Sequence, residues 1–235
     1  MYGFKKDFLK DYTLKIDRAV IEINGGCNYS CAMCPQSNPG REASFKVKMS
    51  LEDFEKVVVD CIKHGLRVVN LDGSGEATAN KDFVEYIKIV KKYNVKCFVF
   101  SNGYNMKDQF MRDAVDAGLD FFRFSLIGYN KDKYIKWMNK DAFKEVYDNI
   151  VEMKKYVTET DSNCDVATYS LIEDYDNRFE EVEAYKNLLE PHGIHMEIWM
   201  MHNWSGVYNP TDKRNGQQKT CGRPFYPDIV IRAGG

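Results

Sequence analysis

Residues 19–34 read Ala19-Val20-Ile21-Glu22-Ile23-Asn24-Gly25-Gly26-Cys27-Asn28-Tyr29-Ser30-Cys31-Ala32-Met33-Cys34. A β-branched run stops at a glycine-rich loop that carries three cysteines, so the stretch predicts a buried strand whose C-terminal end opens into a reactive loop. Downstream the same alternation repeats. Over 50–63, Leu51, Phe54, Val57, Val58 and Ile62 recur at helical spacing, with Ser50 as N-cap, Glu52 and Asp53 in the first turn and Gly65 past the end. Further strands are predicted at 68–71, 95–100, 121–126, 166–172 and 196–200, and further helices at 82–93, 108–117, 141–157 and 179–189. Six strands, each about one βα unit from the next, imply parallel pairing through crossover helices and hence an α/β fold. A doubly wound sheet and a barrel arc are both open at this point. A closed eight-unit barrel needs about 250 residues, and the units stop near residue 201, so a barrel here is a six-unit arc. In either architecture the reactive groups belong on the loops after the strand ends.

Composition narrows the function classes. With 44% hydrophobic and 29% charged residues and a net charge of −2, the chain has the profile of an ordinary globular protein with no basic surplus to favour nucleic acid. The first 17 residues are too polar for a signal peptide, and no apolar run approaches the roughly 18 residues of a membrane span, so a cytoplasmic protein with no membrane partner is expected. Seven cysteines are an odd number and, without a secretory signal, fit thiols that bind metal, react or sit buried better than a disulfide framework. Three of them form the Cys-x3-Cys-x2-Cys triplet after the first strand, and soft sulfur ligands on one short loop suit iron–sulfur or zinc. Zinc would want a fourth Cys or His at finger spacing, and none lies nearby.

The triplet in this place resembles the signature of the radical S-adenosylmethionine (radical SAM) enzymes, and the order of elements matches over about 18–201. The resemblance implies a partial (β/α)6 barrel in which Cys27, Cys31 and Cys34 hold a [4Fe–4S] cluster. The cluster's unique iron is chelated by the amino and carboxylate groups of S-adenosylmethionine. Met33 stands where the family commonly has an aromatic residue. Gly73-Ser74-Gly75-Glu76, after strand two, is similar to the family's Gly-Gly-Glu motif, whose glycines allow close backbone approach and whose acid holds the methionyl ammonium. Ala77 replaces the family's frequent proline. Positional likeness adds Ser101 and Asn102 after strand three, Ser125 at the end of strand four and Met201 with Met200 and His202 at the adenine pocket; Thr168 and Ser170 are expected to point into the barrel. Arg123 shares parity with Ser125 and should face inward, toward an anionic substrate group or into a salt bridge.

Cys31-Ala32-Met33-Cys34-Pro35 resembles the form found in the subset that carries a C-terminal SPASM or twitch module. Cys221-Gly222-Arg223-Pro224-Phe225, followed by a strand at 228–232 and Gly234-Gly235, looks like the start of such an auxiliary-cluster hairpin. The expected organisation is an N-terminal extension at 1–17, the barrel at 18–201, a linker at 202–220 and the beginning of the module at 221–235, with Cys221 a candidate ligand of a second iron–sulfur cluster. Cys61, Cys97 and Cys164 fall in regular elements and read as core. The resemblance implies reductive cleavage of S-adenosylmethionine to a 5′-deoxyadenosyl radical, electrons from a flavodoxin- or ferredoxin-like donor, and a small-molecule substrate. The alternatives are a maturase acting on a ribosomal peptide, a non-catalytic iron–sulfur or metal-binding protein, and a degenerate homologue.

Overall fold

The computed structural model describes residues 15–37, 47–201 and 228–234. His202, the 202–220 linker and Cys221 lie outside the described residues. Seven strands, β1 (Arg18–Ile21), β2 (Val68–Asn70), β3 (Lys96–Ser101), β4 (Phe121–Ser125), β5 (Asp165–Ile172), β6 (His195–Met200) and β7 (Asp228–Ile231), form one sheet in the order β6-β5-β4-β3-β2-β1-β7. Every pair is parallel. From β1 to β6 the order is monotonic, and right-handed crossovers then place every connecting helix on the same side; a doubly wound sheet would reverse its order partway. The sheet is thus the arc of a partial (β/α)6 barrel. The strand expected at 228–232 forms as β7 and does not stand alone: it pairs with β1 from Arg18↔Asp228 to Ile21↔Ile231.

The helices are α1 (Leu51–Ile62), α2 (Phe83–Lys92), α3 (Asp108–Asp116), α4 (Lys131–Met138), α5 (Phe143–Glu159) and α6 (Arg178–Leu189). Ser50 caps α1 as expected, its hydroxyl accepting from the Asp53 N–H at 3.0 Å. The sequence reading placed a single helix between β4 and β5, whereas the chain makes two. α4 is only eight residues long, and its signals are local: the Asn130 side chain accepts from the Lys133 N–H, and Asn139 ends the helix in the left-handed region at φ 51°. Asparagine tolerates that conformation better than most residues.

The core lies between the sheet's outer face and the helices. Phe122 and Phe124 on β4 are fully buried there with ring centroids 4.6 Å apart. Register puts Thr168 opposite Phe124, one residue out of phase with Tyr169, which pairs with Ser125. Thr168 is consequently on the helix side and completely buried, not in the barrel, and Ser170 shares its parity. The inner face carries Phe98, Phe100, Phe121, Arg123 and Tyr169, with the Phe98 and Phe121 rings 5.1 Å apart. Arg123 does face inward. Its guanidinium lies 3.6 Å from the Phe100 centroid and pairs with Glu197, so the salt-bridge alternative is the one the fold adopts. Cys61, Cys97 and Cys164 are buried in the core, as expected. Among the described residues no helix is long and apolar enough to cross a membrane.

Because Phe124 fills space between β4 and the helix layer without any polar partner, Phe124→Ala should cost about 3–5 kcal/mol. Denaturant unfolding of the two chains checks this.

Candidate active site at the strand C-terminal ends

Parallel strands deliver all their C-terminal ends to one rim, and there the loops enclose a cavity of ≈ 280 Å³. Of the residues singled out in the sequence, Cys27, Cys31, Cys34, Gly73, Ser74, Gly75, Glu76, Ser101, Asn102 and Ser125 all line it. Met201 does not: it is 1% exposed and packs into the hydrophobic core, its N–H bonded to the Ile172 carbonyl, so it offers no surface to a ligand.

Glu76 organises the rim. It is 4% exposed, and Oε1 accepts from the Thr78 N–H (3.0 Å), the Thr78 hydroxyl (2.7 Å) and the Ser101 hydroxyl (2.6 Å), while Oε2 accepts from the Asn102 N–H (2.9 Å). A carboxylate has about four acceptor directions, two on each oxygen, so Oε2 keeps one for a further donor. The backbone of Glu76 is held as well. Its N–H donates to the Gly26 carbonyl, and its carbonyl accepts from the Asn24 side chain at 2.8 Å. Two backbones meet here so closely that a Cβ on Gly75 would run into the carbonyls of Asn24 and Gly26, which is why glycine is required.

The cysteine loop is held from a second side. Ala32 N–H donates to the Trp137 carbonyl, the Asn102 amide reaches Asn28 Oδ1 at 2.7 Å, and Cys31 Sγ lies 3.9 Å from Met138 Sδ. Burial pushes the Cys31 thiol up to about 12, helped by the neighbouring Cys27 and Cys34 thiols. Cys27 is open to solvent at the cavity edge, yet desolvation, with Glu76 and Cys34 nearby, pushes it up to about 11. Thiolates crowded this way need a cationic group to be stable together. No three His, Cys, Asp or Glu side chains among the described residues are gathered closely enough to hold a single metal ion. Three thiols lining one cavity are the soft-sulfur donor set that an iron–sulfur cluster takes.

Sequence reasoning missed Asp72, Phe100, Tyr169, Tyr29 and Met138, all of which line the same cavity. Asp72 is the consequential one. Its Oδ1 is buried with no hydrogen-bond partner among the described residues, and desolvation pushes its carboxyl up to about 6 despite Arg123 and Arg18 nearby. Its position directly before Gly73 was the available signal.

The Radical SAM superfamily model matches residues 21–194. The chain is 29% identical over 146 residues to a probable GTP 3′,8-cyclase of Thermococcus kodakarensis, a match that covers 62% of this chain and 46% of that protein. It is 27% identical over 107 residues to the tungsten-containing aldehyde ferredoxin oxidoreductase cofactor-modifying protein of Pyrococcus furiosus, covering 45% and 29%. The chain thus spans about half or less of these curated relatives. In fold it is similar to Streptococcus suis SuiB bound to S-adenosylmethionine, with TM-score 0.67, 16% identity and coverage of 88% and 46%. It is also similar to anSMEcpe with bound AdoMet, with TM-score 0.62, 14% identity and coverage of 85% and 53%.

Asp72 titrates higher in the folded chain than its ordinary 3.8, so the folded state holds the extra proton and stability falls as pH rises from about 4 to about 6. Asp72→Asn should remove that slope. At neutral pH the variant, free of cofactor, should melt higher than the parent, and the two should converge as the pH falls below about 4. Thermal melts across this range are the measurement.

Proposed function

The chain belongs to the radical SAM superfamily, and we propose that this cavity binds S-adenosylmethionine beside a [4Fe–4S] cluster held by Cys27, Cys31 and Cys34. Bound there, the cluster supplies the electron that cleaves S-adenosylmethionine to methionine and a 5′-deoxyadenosyl radical, which abstracts hydrogen from the substrate. The observation that carries the reading is the convergence on one cavity of the three thiols and the Gly73–Glu76 loop from different strands.

The chain's own residues do the positioning. Glu76 Oε2, with its one remaining acceptor direction, takes an N–H of the methionyl ammonium, and the backbone of Gly73 to Gly75 lies where a small polar group can approach it. Ser101 and Asn102 are fixed on Glu76 and form the wall beside it. Ser125 and Tyr169, side by side in register, form the opposite wall. The half-buried aromatic inner face of Phe98, Phe100, Phe121 and Tyr169 shields from water a primary alkyl radical that would otherwise react with whatever is nearest.

A small-molecule substrate is the reading we favour, on relatives named as GTP 3′,8-cyclases; a flavodoxin- or ferredoxin-like protein is the electron donor. We assign 18–201 to the catalytic arc, with an extension at 1–17, a linker at 202–220 and the start of an auxiliary module at 221–235, in which Cys221 is the candidate ligand of a second cluster.

The test is anaerobic reconstitution with iron and sulfide. The protein should develop iron–sulfur absorbance and, with dithionite, convert S-adenosylmethionine to 5′-deoxyadenosine. Alanine at any one of Cys27, Cys31 or Cys34 should lower that conversion by at least about 100-fold. A protein that takes up zinc but forms no iron–sulfur chromophore and cleaves no cofactor would refute the reading.

Cluster ligands are thiolates, and both perturbed thiols are held above their ordinary value of 9.0. Assembly must therefore release protons, and its apparent affinity should rise with pH up to those values. Reconstitution yield should be higher at about pH 8.5 than at about pH 6.5.

A further inference from the structure

The corner between α4 and α5 places Lys140 against the cysteine loop in a way that the proposed chemistry has not used. Its Nζ lies 3.9 Å from the centroid of Tyr104 and 4.7 Å from that of Tyr29, and is 3.4 Å from the Asn28 carbonyl oxygen. Asn28 and Tyr29 stand between Cys27 and Cys31, so the ammonium is seated on the loop itself. The seat is rigid. Tyr29 and Tyr104 meet edge to face at 6.0 Å, Tyr29 OH reaches Tyr134 OH at 3.1 Å, and the Tyr104 carbonyl accepts from the Asn149 amide.

Other lysines around this corner are neutralised. Lys131 pairs with Asp141, Lys133 with Glu173 and Glu181, and Lys136 with Glu173. Among the described residues Lys140 has no carboxylate in ion-pair distance; its contacts are two aromatic faces and a carbonyl, which attract a cation without cancelling its charge. A half-buried, uncancelled positive charge fixed beside a redox group acts on its reduction equilibrium, because net charge and local electrostatics are among the quantities that set an iron–sulfur potential.

We infer that Lys140 is a positioning residue that raises the reduction potential of the cluster ligated by Cys27, Cys31 and Cys34; the inference rests on the cluster assignment above. Three thiolates around a [4Fe–4S] core of charge +2 carry −1 overall, and one electron from a low-potential donor takes this to −2. No bond forms or breaks, and no proton is needed. The attraction to a fixed cation is therefore larger in the reduced state, so removing the cation makes reduction harder.

The experiment is an EPR-monitored redox titration of reconstituted protein without S-adenosylmethionine, on the parent chain, Lys140→Met, Lys140→Gln and Lys140→Arg. Both neutral variants should disfavour the one-electron reduction by about three- to tenfold, a lowering of the midpoint by up to about 59 mV. Lys140→Arg should stay within about twofold of the parent. Equal midpoints in all four proteins would overturn the inference. So would an arginine variant shifted as far as the neutral ones, because the effect would then belong to loop geometry. Loss of the cluster in both neutral variants, with arginine retaining it, would also overturn it by making Lys140 a prop for the loop. A parent chain that forms no cluster would instead refute the assignment of the cysteines.

Discussion

Among the described residues the carboxylate of Glu76 is buried without a cationic partner, and what makes that tolerable is a set of four donors from two successive loops. An ionised carboxylate stripped of water is costly unless its lone pairs are met, so those donors cannot drift independently. Thr78 ties the carboxylate to its own loop, Ser101 and Asn102 tie it to the loop after β3, and Asn24 holds its backbone to the loop after β1. The rim of the barrel is therefore one hydrogen-bonded unit. Asn102 extends it to Asn28, inside the cysteine triplet. A shift of Glu76 would be felt at the thiols through a single intervening side chain.

This arrangement divides the labour within a motif that sequence alone treats as one thing. The glycines of 73–76 are needed for steric reasons, and Gly75 is needed against the backbone of the cysteine loop before any ligand is considered. Gly73 is hemmed in by Glu22, whose carboxylate accepts from Ser74 N–H and, at 3.4 Å, from Ala233 N–H just past β7. The strand that closes the far side of the sheet thus shares a buried acid with the glycine loop. Packing of β7 and placement of the glycine loop are coupled through that one side chain.

Much of this was legible in the sequence, and the reasons differ by element. The βα alternation is written in hydrophobic period, because β3 and β4 bury one face fully and half-bury aromatic side chains on the other, while the helices bury one face. The cysteine triplet and Gly73–Glu76 were legible because their chemistry demands particular residues at particular spacings. α4 was not, since eight residues with Tyr134, Trp137 and Met138 as their apolar face make a weak periodic signal between two asparagines. Thr168 was misplaced for a geometric reason: a strand fixes alternation but not its absolute phase, and only the register with β4 shows that Thr168 shares the face of Phe124. The partner of β7 was illegible because it lies some two hundred residues earlier, where no local rule reaches.

Asp72 shows where pattern reading stops and energetics begins. It and Glu76 are two acids four residues apart, lining one cavity. Glu76 accepts from four donors and keeps one direction free on Oε2; Asp72 has a buried oxygen with no donor among the described residues, and desolvation holds its proton on into the range of pH 6. Arg123, the nearest strong cation along β4, is already committed to Glu197 and to the face of Phe100, so the fold does not spend it on Asp72. A satisfied buried carboxylate explains itself as architecture. An unsatisfied one in a cavity wall is a standing cost that a hydrogen-bond donor arriving from outside would relieve, and that cost makes the Asp72 side of the cavity the place where binding has most to gain.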